Sequence, residues 1–452
     1  MTTAPDLTAT TVRTVAVDAP GSLPSRLPGG PVFSWVSDGD GLIGWGELAR
    51  FEWTGADAAV RAQAWWREWC DALLIDDEVG RPGTGPVAFG SLAFDQRTGS
   101  SALVVPRVVL GRRGGQAWLT SYGDAALPPP ATGRFPRVGP VRYADGALAP
   151  DQWGAAVVEA VRRIRGGALH KVVLARDLVA TADRPIDVRS LLSWLAERYP
   201  SCWTYSVDGL IGATPEMLVR RRGNRVDSVV LAGTSWRGSE QGATGPSGNG
   251  VGAGGPGGPS GNGVHTGVSM TTAEHTDEAE RQLLASTKDL GEHEYAVSST
   301  AQVLASYCRD LQVPAPSLLR LPNLSHLATK IVGVVDGDVS SLELAGALHP
   351  TAAVCGTPTD LALDVIPELE QMDRGRYAGP IGWIDAAGDG DWGLALRGAQ
   401  VSGARVRMFA GCGIVAGSEP DRELAEAQAK FVVMRDALED RQRGDPGPPR
   451  TH

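Results

Sequence analysis

The stretch GCGIVAGSEPDRELAEAQAK, residues 411–430, decides how the rest of the chain is read. It opens on a glycine-flanked apolar turn and passes through Ser418, Glu419 and Pro420 into a helical pattern. On that helix Glu423, Glu426 and Lys430 stand at i, i+3 and i+7, so all three point to one side. A loop that feeds exposed backbone N–H groups into a helix N-terminus attracts anions. Two aligned carboxylates with a lysine one turn on suit a divalent cation together with a carboxylate ligand. Taken alone, the same residues also describe a solvated, salt-bridged surface helix.

Working outward, 452 residues exceed the usual size of one domain and can bury a large core. The net charge of −10 and pI near 5.3 argue against nucleic acid as a partner, although local basic groups still permit a small anionic substrate. The start, MTTAPDLTATTVRTV, has neither the basic nor the apolar region of a secretory signal. No apolar run reaches the roughly 18 residues of a membrane span. Cys70, Cys202, Cys308, Cys355 and Cys412 are scattered without CxxC spacing, which predicts reduced thiols in a cytoplasmic protein. No coiled-coil or dimer stripe is present, so the chain is expected to be a monomer or a weak dimer.

Residues 1–150 form a first part, rich in Trp, Gly and Pro. Its short apolar runs GPVAFGSLAF and SALVVPRVVLGRR predict strands, and DAAVRAQAWWREWCDALL predicts a helix with Trp65, Trp66 and Trp69 as core packing. From residue 151 to 440 helix and strand signals alternate. WGAAVVEAVRRIRGG reads as a helix stopped by Gly166 and Gly167, and HKVVLARDLVA as a strand. WTYSVDGLIGATPEMLVRRRGNRVDSVVLAGT reads as strands turning at Asp208–Gly209 and Gly223–Asn224. The segment from Asp277, DEAERQLLASTKDLGEHEYAVSSTAQVLASYCRDL, reads as one long amphipathic helix. The Gly/Ser/Pro-dominated run 239–264 cannot bury enough apolar surface to fold and is assigned no chemistry. The tail 441–452 is expected to be disordered.

A second acidic pair, Asp289 and Glu292, again stands at i, i+3. Mg2+ takes one or two carboxylates, waters and a substrate oxygen, so two helices each presenting such a pair suit a metal site. Either pair alone also fits a plain surface helix. His293 and His326 read as packing or hydrogen-bonding residues rather than metal ligands. Lys171 heads an apolar strand, where it either snorkels or is partly desolvated. Desolvation lowers a lysine from its usual value of about 10.4 towards what a base needs near neutral pH. Glu216, after Pro215, is its candidate acid counterpart. Arg397, in LALRGA, suits bidentate carboxylate recognition or a rim salt bridge.

KVVLAR, ATPEMLVRR, LAGTSWRG, STKDLGEHE, LSHLAT, LHPTAAVCGTP, RGRYAGPIGW, LALRGA and GCGIVAGSEPDRELAEAQAK follow one another along the chain. In that order they resemble the chorismate-utilising enzymes, which include isochorismate, salicylate, aminodeoxychorismate and anthranilate synthases. The likeness spans residues 155–437, and SDGDGLIGWGELARF resembles the variable sheet-forming part of isochorismate synthases. It implies an α+β fold of large antiparallel β-sheets in a layered sandwich flanked by helices, with the site between the layers. It further implies chorismate as substrate and Mg2+ as cofactor, held directly by Glu292 and Glu426 and through waters by Asp289 and Glu423. Arg397, Tyr377 and the backbone around Gly411 and Gly413 would hold the enolpyruvyl carboxylate. Lys430 would sit near the ring carboxylate, with Gly233, Thr234, His326 and Ala353 lining the remaining substrate pocket.

The branch of the family follows from three positions. Lys171 as base and Glu216 as acid match the addition of water to the ring and loss of a hydroxyl. Anthranilate synthases usually lack the lysine, and aminodeoxychorismate synthases carry it in a proline-lysine motif that KVVLAR does not have. Ala353 stands where members that eliminate pyruvate tend to have threonine. The resemblance therefore points to an isochorismate synthase, with salicylate synthase second and a non-catalytic binding subunit third. Ala427, where threonine is common, and Gly291, within the metal helix, depart from the family pattern.

Overall fold

The computed structural model describes residues 10–18, 21–55, 58–123, 135–236, 270–271, 278–320 and 324–440, with backbone alone at 58, 232–236, 270–271, 278–279, 287–289, 292 and 324. The Gly-rich run 239–264 and the tail 441–452 lie outside the described residues.

Alternating apolar runs bounded by Gly and Asp turns give an almost wholly antiparallel architecture. Ser101–Arg113 is its junction. One arm leads from it through Asp40–Trp53, Val32–Ser37, Trp203–Val207, Leu210–Thr214, Gly398–Ser402 and Arg405–Ile414 to Lys171–Ala182. The other leads through Val87–Ser91, Pro380–Asp385, Gly390–Leu394, Met217–Arg222 and Arg225–Trp236 to Leu324–Val335. The exception to the antiparallel rule is Thr11–Val17 beside Leu74–Asp77. The first part of the chain thus shares its sheets with the last, and the α+β class follows from the helices laid on their faces.

The expected turns at Asp208–Gly209 and Gly223–Asn224 link strand pairs as the sequence indicates. Pro150–Arg165 ends where Gly166 and Gly167 interrupt it, and packs on Pro420–Glu439 and Thr359–Glu370. One expectation fails. The long helix from Asp277 is two helices, Glu278–Ala285 and Thr287–Ala305, followed by the strand Cys308–Gln312. Ser286 sits between them, and its carbonyl accepts the first bond of the second helix from the Leu290 amide at 3.0 Å. The first helix is pinned separately, because buried Glu280 accepts from Arg320 Nε at 2.9 Å and from Ser325 Oγ at 2.6 Å. Fixing that carboxylate sets an axis the second helix does not continue. Among the described residues no helix is long and apolar enough to cross a membrane.

The tryptophan helix, Ala58–Asp71, ties the first part to the last. Trp66 is 1% exposed and its Nε1 donates to the Asp385 carbonyl at 3.0 Å. Trp66→Ala should cost about 3–5 kcal/mol in denaturant unfolding, chiefly through the cavity, since the Asp385 carbonyl keeps the Gly388 amide at 3.0 Å. The half-buried neighbour Trp65→Ala should cost clearly less.

Candidate active site

Two adjacent strands make the floor of a cavity of about 270 Å3. Lys171–Ala182 and Arg405–Ile414 pair so that Val173 faces Gly413 and Ala175 faces Gly411. Side chains two apart share a face of a strand, and Lys171, Val173 and Ala175 line the cavity beside Phe409, Gly411 and Gly413. The Val173 amide bonds outward to the Cys355 carbonyl at 2.7 Å, and the Ala175 amide outward to Glu370. These are therefore the non-hydrogen-bonded pairs of the ladder, and the Gly411 and Gly413 amides point away from the lysine strand. Gly413 has a steric duty as well. A Cβ there would come within 2.8 Å of Lys171 Cε, so the bare backbone is what lets the lysine cross the floor.

Pro420–Glu439 closes one side. Its single-sided triplet is realised: Glu423, Glu426 and Lys430 all line the cavity. Lys430 Nζ donates to Glu426 Oε1 at 2.7 Å and to the Gly411 carbonyl at 2.6 Å, which ties helix to floor. The turn before it is held by Ser418, whose Oγ accepts from the Val415 amide at 3.1 Å.

The opposite arm supplies Glu216, Leu231 and His326. Glu216 lies between the strands Leu210–Thr214 and Met217–Arg222, its amide bonded to Thr214 Oγ1 at 3.2 Å and its carbonyl accepting from the Leu394 amide at 3.1 Å. With the backbone held at both ends, the side chain is committed to the cavity. Removal from bulk water pushes its carboxyl up to about 7, against the opposing pull of Lys171, Arg397 and Lys430. Leu231 belongs to Arg225–Trp236, where the register against Leu324–Val335 slips between Ala232 and Thr234 and sets Thr234 opposite His326. Gly233 falls at that bulge; the side chain of Thr234 lies outside the described residues.

Arg397 reaches the cavity from a left-handed backbone, φ 50°, between Gly390–Leu394 and Gly398–Ser402. Such a conformation is costly for a non-glycine residue and marks a place where the surroundings dictate the aim of the side chain. Burial pulls its guanidinium below the usual range, opposed by nearby Cys202, Tyr377 and Glu426. Tyr377 stacks on Phe409 with ring centroids 4.8 Å apart, and burial pushes its phenol up to about 12. Ala353 and Val354 complete the wall.

Lys171, Glu216, His326, Ala353, Tyr377, Arg397, Gly411, Gly413, Glu423, Glu426 and Lys430 are thus gathered in one cavity. Asp289 and Glu292 lie on Thr287–Ala305, but their side chains are outside the described residues. Among the described residues no cluster of three His, Cys, Asp or Glu forms. Glu423 and Glu426 alone are hard oxygen donors one turn apart and open to the cavity, a set that fits Mg2+ completed by waters and a ligand carboxylate. Sequence reasoning missed Arg374, Val173 and Leu231. The period of two from Lys171 signalled Val173; for Arg374 the signal was its place in RGRYAGPIGW. The cysteines are free and buried, as reduced thiols should be.

The cavity sets Lys171, Arg397 and Lys430 beside the carboxyls of Glu216, Glu423 and Glu426. The family model of chorismate binding enzymes matches residues 31–436. The chain belongs to that family. It is 38% identical over 302 residues to isochorismate synthase DhbC of Bacillus subtilis, covering 64% of this chain and 68% of the relative. To isochorismate synthase EntC of Escherichia coli it is 32% identical over 371 residues, covering 80% and 84%. The fold is shared with the menaquinone-specific isochorismate synthase MenF of Escherichia coli, at a TM-score of 0.71, 24% identity and 95% of both chains. The expected α+β sandwich is thereby borne out, and the chain is an enzyme of this family.

Because the end of Lys171 is flexible, Gly413→Ala should leave the fold intact while displacing the amine. Turnover should fall by about 10–100-fold with little change in melting temperature, as misplaced groups of this kind do.

Proposed function

We propose that this enzyme converts chorismate to isochorismate. The observation that carries the reading is the placing of Glu216, its carboxyl pushed up to about 7 by burial, in one cavity with Lys171, Arg397 and Ala353. The names of the relatives point the same way. Chorismate bears two carboxylates, and the cavity offers a separate anchor for each. Arg397, the Tyr377 hydroxyl and the amides of Gly411 and Gly413 suit the enolpyruvyl carboxylate. Glu426 and Glu423, with Glu292 and Asp289, would hold Mg2+, which when bound neutralises the ring carboxylate; Lys430 supports it.

The reaction adds water at ring carbon 2 and loses the hydroxyl of carbon 4 while the double bonds shift. Lys171 takes a proton from the attacking water, and Glu216 gives one to the departing hydroxyl, so one water enters and one leaves. A general acid works best when its pKa lies near the working pH, which a carboxyl at about 7 meets and an ordinary one near 4.5 does not. Ala353 itself brings no hydroxyl to the ring, where members that eliminate pyruvate tend to have threonine.

Purified protein given chorismate and Mg2+ should yield isochorismate without free pyruvate. EDTA should stop turnover and excess Mg2+ restore it. Stoichiometric pyruvate would move the reading to a salicylate synthase, and activity indifferent to EDTA would remove the metal.

Lys171→Ala and Glu216→Gln should each lower turnover at least 100-fold while chorismate still binds, measured by calorimetry. Glu216→Gln has a second consequence. A carboxyl raised from 4.5 to about 7 in the folded state contributes most to stability below 4.5, and that contribution is lost as pH rises towards 7. The glutamine variant should therefore melt higher than the parent at pH 8 and at nearly the same temperature at pH 4.5.

A further inference from the structure

Among the described residues, the outer edge of the lysine strand has no partner strand between its two short pairings. Gly356–Thr357 covers Lys171 and Val172, and Val141–Asp145 covers Leu178–Ala182. Between them the backbone groups are taken up one by one, largely by side chains. The Val173 carbonyl accepts from Arg374 Nη2 at 2.8 Å, the Ala175 amide donates to Glu370 Oε1 at 2.6 Å, and the Ala175 carbonyl accepts from Trp153 Nε1 at 3.1 Å. Arg374 and Glu370 bond to each other as well, with Arg374 Nε 3.0 Å from Glu370 Oε2. Their side chains are 2% and 0% exposed. Together they stand in for the missing rungs of the sheet.

The reach of Arg374 extends past that strand. Its Nη1 donates to the Val354 carbonyl at 2.9 Å, next to Ala353. Its own carbonyl accepts from the Tyr377 amide at 3.0 Å, and its guanidinium lies over the Phe94 ring at 4.1 Å. One residue therefore joins three walls of the cavity that it lines: its side chain holds the Lys171 strand and the Ala353 loop, and its backbone holds the Tyr377 turn. A buried ion pair is a poor source of net stability, because desolvation consumes most of the attraction. What it supplies is a fixed geometry.

We infer that Arg374, braced by Glu370, is a positioning residue that sets the spacing between Lys171 and the Ala353–Tyr377 side of the cavity. The planar fork of arginine is required, since it bridges Val173, Val354 and Glu370 in one plane; a lysine carries the charge but not the fork. Glu370 acts as an acceptor, and glutamine retains an acceptor oxygen for the Ala175 amide but not for Arg374 Nε.

This inference rests on the chorismate reading, but its test compares each variant with the parent on whatever product the parent forms from chorismate. A different product overturns that reading and leaves the comparison intact. In Arg374→Lys, kcat should fall by 10–100-fold, the KM for chorismate should stay within about threefold, and melting temperature should change by a few degrees at most. Glu370→Gln keeps an acceptor for Ala175 but sets an amide donor against Arg374 Nε, so kcat should fall by about tenfold with KM within about threefold. Unchanged kcat in Arg374→Lys overturns the positioning role, as does a raised KM at constant kcat, which would make Arg374 a substrate ligand. If Arg374→Lys does not fold, Glu370→Gln decides alone: unchanged kcat at unchanged melting temperature overturns the inference, because the fork would then need no brace.

Discussion

The ladder between Lys171–Ala182 and Arg405–Ile414 is the constraint on which the site depends. It puts the lysine and two glycines on one floor, in a register that a slip of a single residue would invert, turning every cavity-facing side chain outward. The remaining parts are attached to that floor. Lys430 bonds to the Gly411 carbonyl and brings the acidic helix with it, and Arg374 and Glu370 complete the other edge. The arm bearing Glu216 and His326 then closes over the top. Rigidity in the sheet is what allows few groups to be held at fixed separations around a small anion.

Electrostatics explains why a carboxylate can sit there in two protonation states. Burial favours neutral Glu216, whereas Lys171, Arg397 and Lys430 favour the anion, and burial wins by enough to leave the group near 7. Glu426, by contrast, is paired with Lys430 at 2.7 Å. Carboxylates of the same type in one cavity are thus set to different tasks by their neighbours. The buried guanidinium of Arg397 faces the cavity from a backbone held at φ 50°, at the expense of local strain.

Much of this was legible in the residues. The spacing of Glu423, Glu426 and Lys430 announced a functional helix face, and the period of two after Lys171 announced a floor strand. The ordered motifs carried the family and gathered the site, from Glu216 to Arg397. What escaped lay in contacts and backbone that no single motif states. The Arg374 and Glu370 clamp acts on Ala175, 195 positions from Glu370, and nothing in either segment names the other. The break at Ser286 accompanies Glu280 reaching Arg320 and Ser325 in two distant strands, tertiary contacts that a helical pattern does not announce. The left-handed backbone of Arg397 was equally silent, because LALRGA reads simply as the end of a strand.

The central claim is that the cavity activates a water molecule against the ring. Turnover of chorismate in H218O, followed by mass spectrometry of the product, tests it directly. The account predicts isochorismate carrying one 18O atom, on carbon 2, from the first turnover. Product without the label, with the original oxygen moved from carbon 4 to carbon 2, would contradict it.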